Sequence, residues 1–584
     1  MATLCRIIAQ IGNEVWMATV LGVILITPAV GAEFDVVAVT GQQAPGAEAG
    51  VLFDRLWGSS NFPQFNSAGQ VLLPAKLAGT GVNDNNDGGL WVVDTETSTS
   101  SLIARQGDQA PGAAAGVTFG IRAFVDRPHY DGYMGQPTSA FNDAGQFVYW
   151  ADLSGPGVDA TNDSGMWTGT SSADMSLLAR TGDQAVGMPS GVVYTNLLRS
   201  KTVINSSGKI GISGRVGGPG VTPTMNEDAL WSGTPAGLSL EVRQGDPAPG
   251  TTEKFALHKY TGFSALVDDD GDLQIFSSLS ADGVWTTASD SSLWSGGNGA
   301  TLDMLARSYE PAPGLGAGVT LGYHVRLRPT TLTGKFVTEL ALSGAGVNVF
   351  NSGTVWTGTT AGDLSLVARR GDPSFPGSGG NLTFESFDKP VMNESGTYVF
   401  RTHWDNTATG GFVGGVHMGT SAEDLELVVG GDQPIPGLDP SLRFGGGIYD
   451  LSINNAGQFI FSASISDQTG SYWGSGYFGY DPNQGIELLL QTGEQLEVAA
   501  GDWRTVQSFS LYDGGSILTD GTPRGLTDDG QFLIRAYFTD GSQGVVVGSI
   551  AVPEPGSLTL LGFGTFAFLV RRRHSRLRLL VAKI

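Results

Sequence analysis

From residue 34 to about 550 the apolar residues fall in short runs, many alternating with polar ones, and clusters of Gly, Asn, Asp and Pro cut the runs apart. Helical periodicity is absent. In the first stretch the runs Val51 to Trp57, Val71 to Ala78, Leu90 to Asp94 and Ser101 to Arg105 predict four strands, and the same quartet recurs down the chain.

Three landmarks mark each recurrence. The first is Asn-x-x-Gly before an apolar run, at Asn66 to Gly69, Asn142 to Gly145, Asn205 to Gly208, Asp268 to Gly271, Asn393 to Gly396 and Asn454 to Gly457, with degenerate copies at Thr331 to Gly334 and Thr527 to Gly530. Five successive steps between these glycines are 61 to 63 residues, two are longer, and the count is eight repeats. The second landmark is an apolar residue before tryptophan: Leu90-Trp91, Met166-Trp167, Leu230-Trp231, Leu293-Trp294 and Val355-Trp356, fading to Val416-His417, Tyr477-Phe478 and Val546-Val547. The third is a basic, Gly-Asp, Ala-Pro-Gly segment such as Arg105-Gln106-Gly107-Asp108-Gln109-Ala110-Pro111-Gly112. An Asx turn closed by a glycine of positive φ and a proline turn free of ladder donors explain the first and third, and tryptophan supplies apolar area between stacked sheets.

Four strands per unit, repeated eight times, predict an all-β fold, a β-propeller of about eight four-stranded blades. The last repeat stops at its tryptophan-equivalent strand. Phe34 to Thr40 matches the missing fourth strand, so one N-terminal strand would complete the eighth blade. The alternative is a tandem β-sandwich array, which would need a full set of strands in every unit.

The ends follow other rules. Residues 1–32 read as a signal peptide, with Arg6, an apolar run from Met17 to Val30 and a Val30-Gly31-Ala32 cleavage site; Met1 and Met17 both remain candidate starts. Residues 33–552 form the repeat domain, and 553–584 a tail ordered as Pro553-Glu554-Pro555, an apolar stretch from Leu558 to Val570, and then Arg571, Arg572 and Arg573. As a helix those 13 apolar residues rise about 20 Å against a hydrocarbon core of roughly 30 Å, a poor permanent anchor with a cytoplasmic stop signal of arginines.

This tripartite tail resembles the PEP-CTERM sorting signals that exosortases recognise in Gram-negative bacteria making extracellular polysaccharide. The repeat region is similar to exported bacterial proteins with tandem NxxGxxxF repeats, a group with no established activity. The resemblance implies export, transient anchoring in the inner membrane through a hydrophobic sorting helix, processing near Pro553, Glu554 and Pro555 by an exosortase-type enzyme, and delivery to the cell surface or extracellular matrix.

Charge narrows the partners. Residues 33–552 hold 25 basic and 54 acidic side chains, a net charge of −29, which repels nucleic acid and anionic lipid. Cys5, the one cysteine, falls within the signal peptide, so the mature chain has neither disulfides nor a cysteine nucleophile. The six histidines show no metal-ligand spacing, and no nucleophile elbow or phosphate loop is present. Acidic turns are the remaining candidates, at Asn83 to Asp87, Asp159 to Asp163, Asn226 to Asp228 and above all Asp268, Asp270 and Asp272, where clustered oxygens suit calcium although no full EF-hand spacing occurs. Solvated Asx turns are the plain alternative. The expectation is a non-catalytic binding or display propeller with no required cofactor, with exopolysaccharide or another surface protein as partner. A polysaccharide-active lyase or glycosidase, or a purely structural matrix component, are the alternatives.

Overall fold

The computed structural model describes residues 34–550 apart from 57–62, 121–138, 198–201, 257–263, 269–270, 286–289, 298–301, 327–334, 361, 374–382, 407–410 and 512–524. Every regular element described is a strand, and the strands form eight antiparallel sheets. In the first sheet an inner strand in two pieces, Val51–Arg55 and Gln64–Phe65, pairs with Gln70–Gly79, which pairs with Gly88–Asp94, which pairs with the outer strand Thr99–Arg105. Six further sheets repeat this order over 118–180, 193–243, 254–307, 319–369, 384–430 and 442–491. The protein is an eight-bladed β-propeller. Each unit is a single sheet, so the sandwich array falls.

The eighth blade is assembled from both ends of the chain. Asp502–Leu511, Gln531–Phe538 and Gln543–Ser549 supply its first three strands, and Phe34–Val39 pairs antiparallel with Gln543–Ser549 as the outer one. The predicted closing strand is therefore in place. A preceding hairpin strand, Gln495–Ala499, pairs with Asp502–Leu511 where other blades have the Ala-Pro-Gly loop.

Alternation along each strand sends successive side chains to different neighbours. In Phe147–Ser154, Phe147, Tyr149 and Ala151 pack with Leu72 and Leu90 of the first blade, while Val148 and Trp150 pack with Ile210 and Ile212 of the third. Strands buried on both faces read as nearly continuous apolar runs. Trp91, Trp167, Trp231, Trp294 and Trp356 are wholly buried. The first four stand edge-on to Phe53, Phe119, Tyr194 and Phe255 of the inner strands, with ring centroids 5.0 to 5.2 Å apart. His417 and Phe478 hold the same position in blades six and seven, against Phe384 and Phe444. In the eighth blade the position belongs to Val546, which pairs with Ile534 as Trp91 pairs with Leu73. The last copy is thus Val545-Val546, one residue earlier than the sequence alignment, because aliphatic neighbours give no landmark to fix the register.

The asparagine column does more than turn the chain. Within its own blade each side-chain oxygen accepts the backbone N–H four residues on, as from Gln70 to Asn66, Gln146 to Asn142, Lys209 to Asn205, Thr397 to Asn393 and Gln458 to Asn454, at 2.7 to 2.9 Å. Its amide group points the other way. Asn66 donates to the carbonyl of Asn142 (2.9 Å), Asn142 to Asn205 (2.9 Å), Asn205 to Asp268 (2.7 Å), Asn393 to Asn454 (3.0 Å) and Asn454 to Thr527 (2.9 Å). These side chains are buried, and they run from blade to blade around the axis, where the inner strands of neighbouring sheets come closest. Thr331, the fifth copy, lies outside the described residues.

Glycine in this landmark meets two demands. Gly145 and Gly208 have φ of 73° and 81°, and a Cβ there would stand 2.7 and 2.5 Å from the side-chain oxygens of Gln70 and Gln146, which reach over from the preceding blade.

Two outcomes follow from this architecture. Deleting residues 33–41 uncovers the edge of Gln543–Ser549, and the truncated protein should aggregate or lose cooperative unfolding in size-exclusion and denaturant experiments. Asn205→Ala removes two turn bonds, from Lys209 N–H and the Ser207 hydroxyl, and one inter-blade bond in a buried setting, and should cost about 1–3 kcal/mol in urea unfolding; an unchanged midpoint would show that the column is dispensable.

Candidate binding face

The ring has two faces of different chemistry. One carries the Asn-x-x-Gly turns and the turns between third and outer strands. The other carries the loops between second and third strands and the segments that connect one blade's outer strand to the next blade's inner strand.

On the first face polar groups are spent on the fold. Thr170 and Ser171 direct both backbone N–H groups and both hydroxyls to Asp174, at 2.7 to 3.1 Å. Partial burial opposes ionisation there, but the hydrogen bonds outweigh it and hold Asp174 down at about 2. Asp363 and Asp424, at equivalent turns, are lowered in the same way by Thr359 and Thr360 and by Thr420 and Ser421.

The acidic turns predicted as calcium sites divide in the structure. Asn83, Asp159 and Asn226 lie on the second face, and their oxygens close the loops they sit in: Asn85 N–H donates to Asn83 Oδ1 (3.0 Å), Thr161 N–H to Asp159 Oδ1 (2.8 Å) and Thr222 N–H to Asn226 Oδ1 (2.7 Å). Asp268 belongs to the asparagine column, its carboxylate accepting Asp272 N–H at 2.7 Å. A cation is already beside it: Lys209 donates from Nζ to the carbonyl of Gly271 at 2.6 Å and interacts with Asp268 and Asp272. Asp270 lies outside the described residues. Among the described residues no group of three or more His, Cys, Asp or Glu is arranged to hold a metal ion.

Arg105 and Asp108 of the third landmark meet through the main chain, not as an ion pair. Asp108 Oδ2 accepts the backbone N–H of Arg105 at 3.0 Å, whereas the guanidinium reaches the Asn86 carbonyl (3.0 Å) and Glu48 (2.7 Å). Sequence spacing registers the pair but not the direction of the side chain. Burial pushes the Asp108, Asp183, Asp246 and Asp372 carboxyls upward, partly offset by the arginine that opens each segment. Gln109 ties the Ala-Pro-Gly loop together, donating to Ala114 O and accepting from Gly116 N–H.

Against this closed background the departures from the repeat stand out. Ten large apolar side chains among the described residues are exposed: Val186, Met225, Tyr309, Val349, Phe350, Tyr449, Tyr472, Trp473, Trp503 and Tyr537. All but Tyr449 stand on the second face, in its loops, its connecting segments or the adjoining strand ends. Tyr309 occupies the position where six other repeats have glycine at φ 84° to 92°, and it keeps φ 69°; Asp432 holds the same position at φ 65° in the segment between blades six and seven. Its N–H makes the repeat's usual bond, to Leu321 O at 2.7 Å. A bulky residue held in that region costs about 1–2 kcal/mol. Clefts open on the same face at the blade junctions, one of about 510 Å³ between Asn85, Phe119 and Asp152 and one of about 220 Å³ between Glu339, Arg370 and Phe387.

Tyr449 neighbours a second polar cluster, on the inner and second strands of blade six and the inner strand of blade seven. Arg401 is buried, donates to Ile448 O at 2.8 Å and pairs with Asp388; His403 Nδ1 meets Ser386 Oγ at 3.1 Å, and burial together with Arg401 lowers its pKa. Asp450, at φ 41°, contacts Ser462 Oγ and Tyr477 OH. The sequence signal for this cluster is the Gly445-Gly446-Gly447 run, which breaks strand alternation just before Tyr449 and Asp450.

A family model described as a family of unknown function (DUF7453) matches residues 22–129, 120–415 and 414–559. The chain belongs to this family. The PEP-CTERM protein-sorting motif matches residues 551–573, which marks an exported protein sorted through a C-terminal membrane segment before exosortase processing. The tail residues Pro553, Glu554, Pro555, Arg571, Arg572 and Arg573 lie outside the described residues. No curated protein matches the chain. Among solved structures it is similar to the Dos1 propeller (8% identity, TM-score 0.37, covering 84% of this chain and 94% of that one) and to prolyl oligopeptidase B from Galerina marginata (12%, 0.34, 84% and 55%). It is also similar to the Trypanosoma rangeli sialidase (11%, 0.26, 77% and 59%). The chain spans only 55% of the oligopeptidase's length, and scores this low carry no functional argument.

The turn carboxylates predict an acid limb of stability. Because the folded state holds Asp174, Asp363 and Asp424 below their ordinary values, their contribution is complete above the unfolded value of about 3.9 and is lost as pH falls toward about 2. The loss in urea midpoint between about pH 5 and pH 2.5 should shrink in the triple variant Asp174→Asn, Asp363→Asn, Asp424→Asn; an identical loss would exclude these turns.

Proposed function

We propose that this protein is a non-catalytic binding propeller, displayed at the cell surface or in the extracellular matrix and associated there with exopolysaccharide. The observation that carries this reading is the sidedness of the ring: hydrogen-bonded turns close one face, and among the described residues nine of ten exposed large apolar side chains stand on the other. Monomeric proteins seldom leave apolar side chains gathered on one surface without a partner. The net charge of −29 over residues 33–552 favours soluble display and disfavours polyanions as ligands.

Sorting supplies the route. An N-terminal signal peptide over residues 1–32 starts export, the segment from Leu558 to Val570 halts in the inner membrane with Arg571, Arg572 and Arg573 inside, and an exosortase cuts near Pro553, Glu554 and Pro555.

Two measurements test the reading. The purified repeat domain, passed over the host's own polysaccharide, should be retained without releasing soluble fragments; depolymerisation would establish the enzymatic alternative, and neither effect would leave only a structural role. In a host with the matching exosortase, mass spectrometry should find the mature chain ending near Pro553 to Gly556, and Glu554→Ala should leave it bound to the inner membrane. An intact arginine-bearing terminus on surface-exposed wild-type protein would overturn the sorting account.

A further inference from the structure

We infer that Tyr309, Trp473 and Trp503 are sugar-stacking contacts for an uncharged polysaccharide that lies across the loop face of blades five, seven and eight. This deepens the polysaccharide reading and rests on it.

The three side chains are exposed by 52%, 68% and 56%. Each sits where the repeat departs from its own pattern. Tyr309 stands where six of the other repeats have glycine and accepts the left-handed backbone of that position, as the smaller Asp432 does in one more repeat. Trp473 and its neighbour Tyr472 stand on the loop between second and third strands of blade seven, where blade one has the Asn83 to Asp87 turn. Trp503 stands on the extra hairpin, Gln495–Ala499 with Asp502–Leu511, that replaces an Ala-Pro-Gly loop. Strain retained at a half-exposed aromatic side chain marks a position kept for a contact outside the fold.

The chemistry of the surroundings selects the ligand. A pyranose ring offers a flat face of C–H groups, which suits the negative face of an aromatic ring, and a rim of hydroxyl donors. Glu310 follows Tyr309 in the chain and offers an acceptor to a sugar hydroxyl, while Asp467, bonded by Thr469, Ser471 and Trp473, and Asp502, paired with Arg504, flank the two tryptophans. The acidic groups of a charged polymer would meet repulsion from the −29 background. A protein partner would call for a contiguous apolar centre, whereas these aromatics stand on separate segments of the face, one on the link from blade four to blade five and two in blades seven and eight.

Tyr309→Gly restores the residue of the repeat and therefore separates fold from function. Affinity electrophoresis of the mature repeat domain in gels containing soluble β-1,3-glucan, dextran or xylan, with alginate as the anionic probe, should show retardation by an uncharged polymer and none by alginate. Tyr309→Gly should raise the thermal midpoint and weaken retardation about tenfold; Trp473→Ala and Trp503→Ala should weaken it similarly at unchanged stability. Wild-type retardation that survives all three substitutions, or occurs with alginate alone, would overturn the inference while leaving polysaccharide binding in place. Absence of retardation by every polymer, including the host's own, would remove both.

Discussion

An asparagine side chain has one acceptor and one pair of donors, and in this ring the two ends are used in different blades. Oδ1 closes the turn within a sheet, while Nδ2 reaches the main chain of the next. Local turn formation and global assembly are thereby coupled in one residue. A blade whose turn is misformed cannot present its amide, and a blade out of position leaves a buried donor unpaired, which is costly where water is excluded. The apolar contacts between blades are larger in area but less exacting, since Trp, His, Phe and Val all serve at the third-strand position.

That division explains where the repeat degenerates. At the fourth turn Asp268 keeps the acceptor role toward Asp272 and receives the amide of Asn205, but a carboxylate has no donor to pass onward. Lys209 adds a second link at the junction before it, from the third blade to Gly271 of the fourth. At the eighth turn Thr527 closes its own turn through its hydroxyl and accepts from Asn454. The junction from the eighth blade to the first is held instead by strand pairing between Phe34–Val39 and Gln543–Ser549 and by Gln543, whose side chain accepts from Leu56.

A ring closed by its own ends has no free sheet edges at the seam and needs no capping unit. Constraint on one face frees the other, because loops on the second face need only span between strands whose spacing is already set. Their glutamine and asparagine clamps keep them ordered, and substitutions such as Tyr309 and insertions such as the Trp503 hairpin can accumulate there without disturbing the ring. Most carriers of binding in such proteins are loops on a rigid scaffold, and the sidedness of the exposed aromatics fits that logic.

The eight-fold count, the four strands per unit, the closing role of Phe34 to Thr40 and the sorting tail were legible in the sequence. Each rests on a local pattern: alternation, turn residues at fixed spacing, or the order of apolar and basic segments. The asparagines could be recognised as turn formers for the same reason, since an Asx turn is complete within a few residues. Their amide contacts could not, because the partner carbonyl lies about one repeat away and becomes a neighbour only when the ring closes. The same holds for the direction of Arg105, which the fold turns toward Asn86 and Glu48, and for the buried place of Asp268 beside Lys209. Nor could one repeat show that Val186, Tyr309, Phe350, Trp473 and Trp503 share a face: they are scattered over more than three hundred residues, and only the radial arrangement of blades brings their loops to the same side.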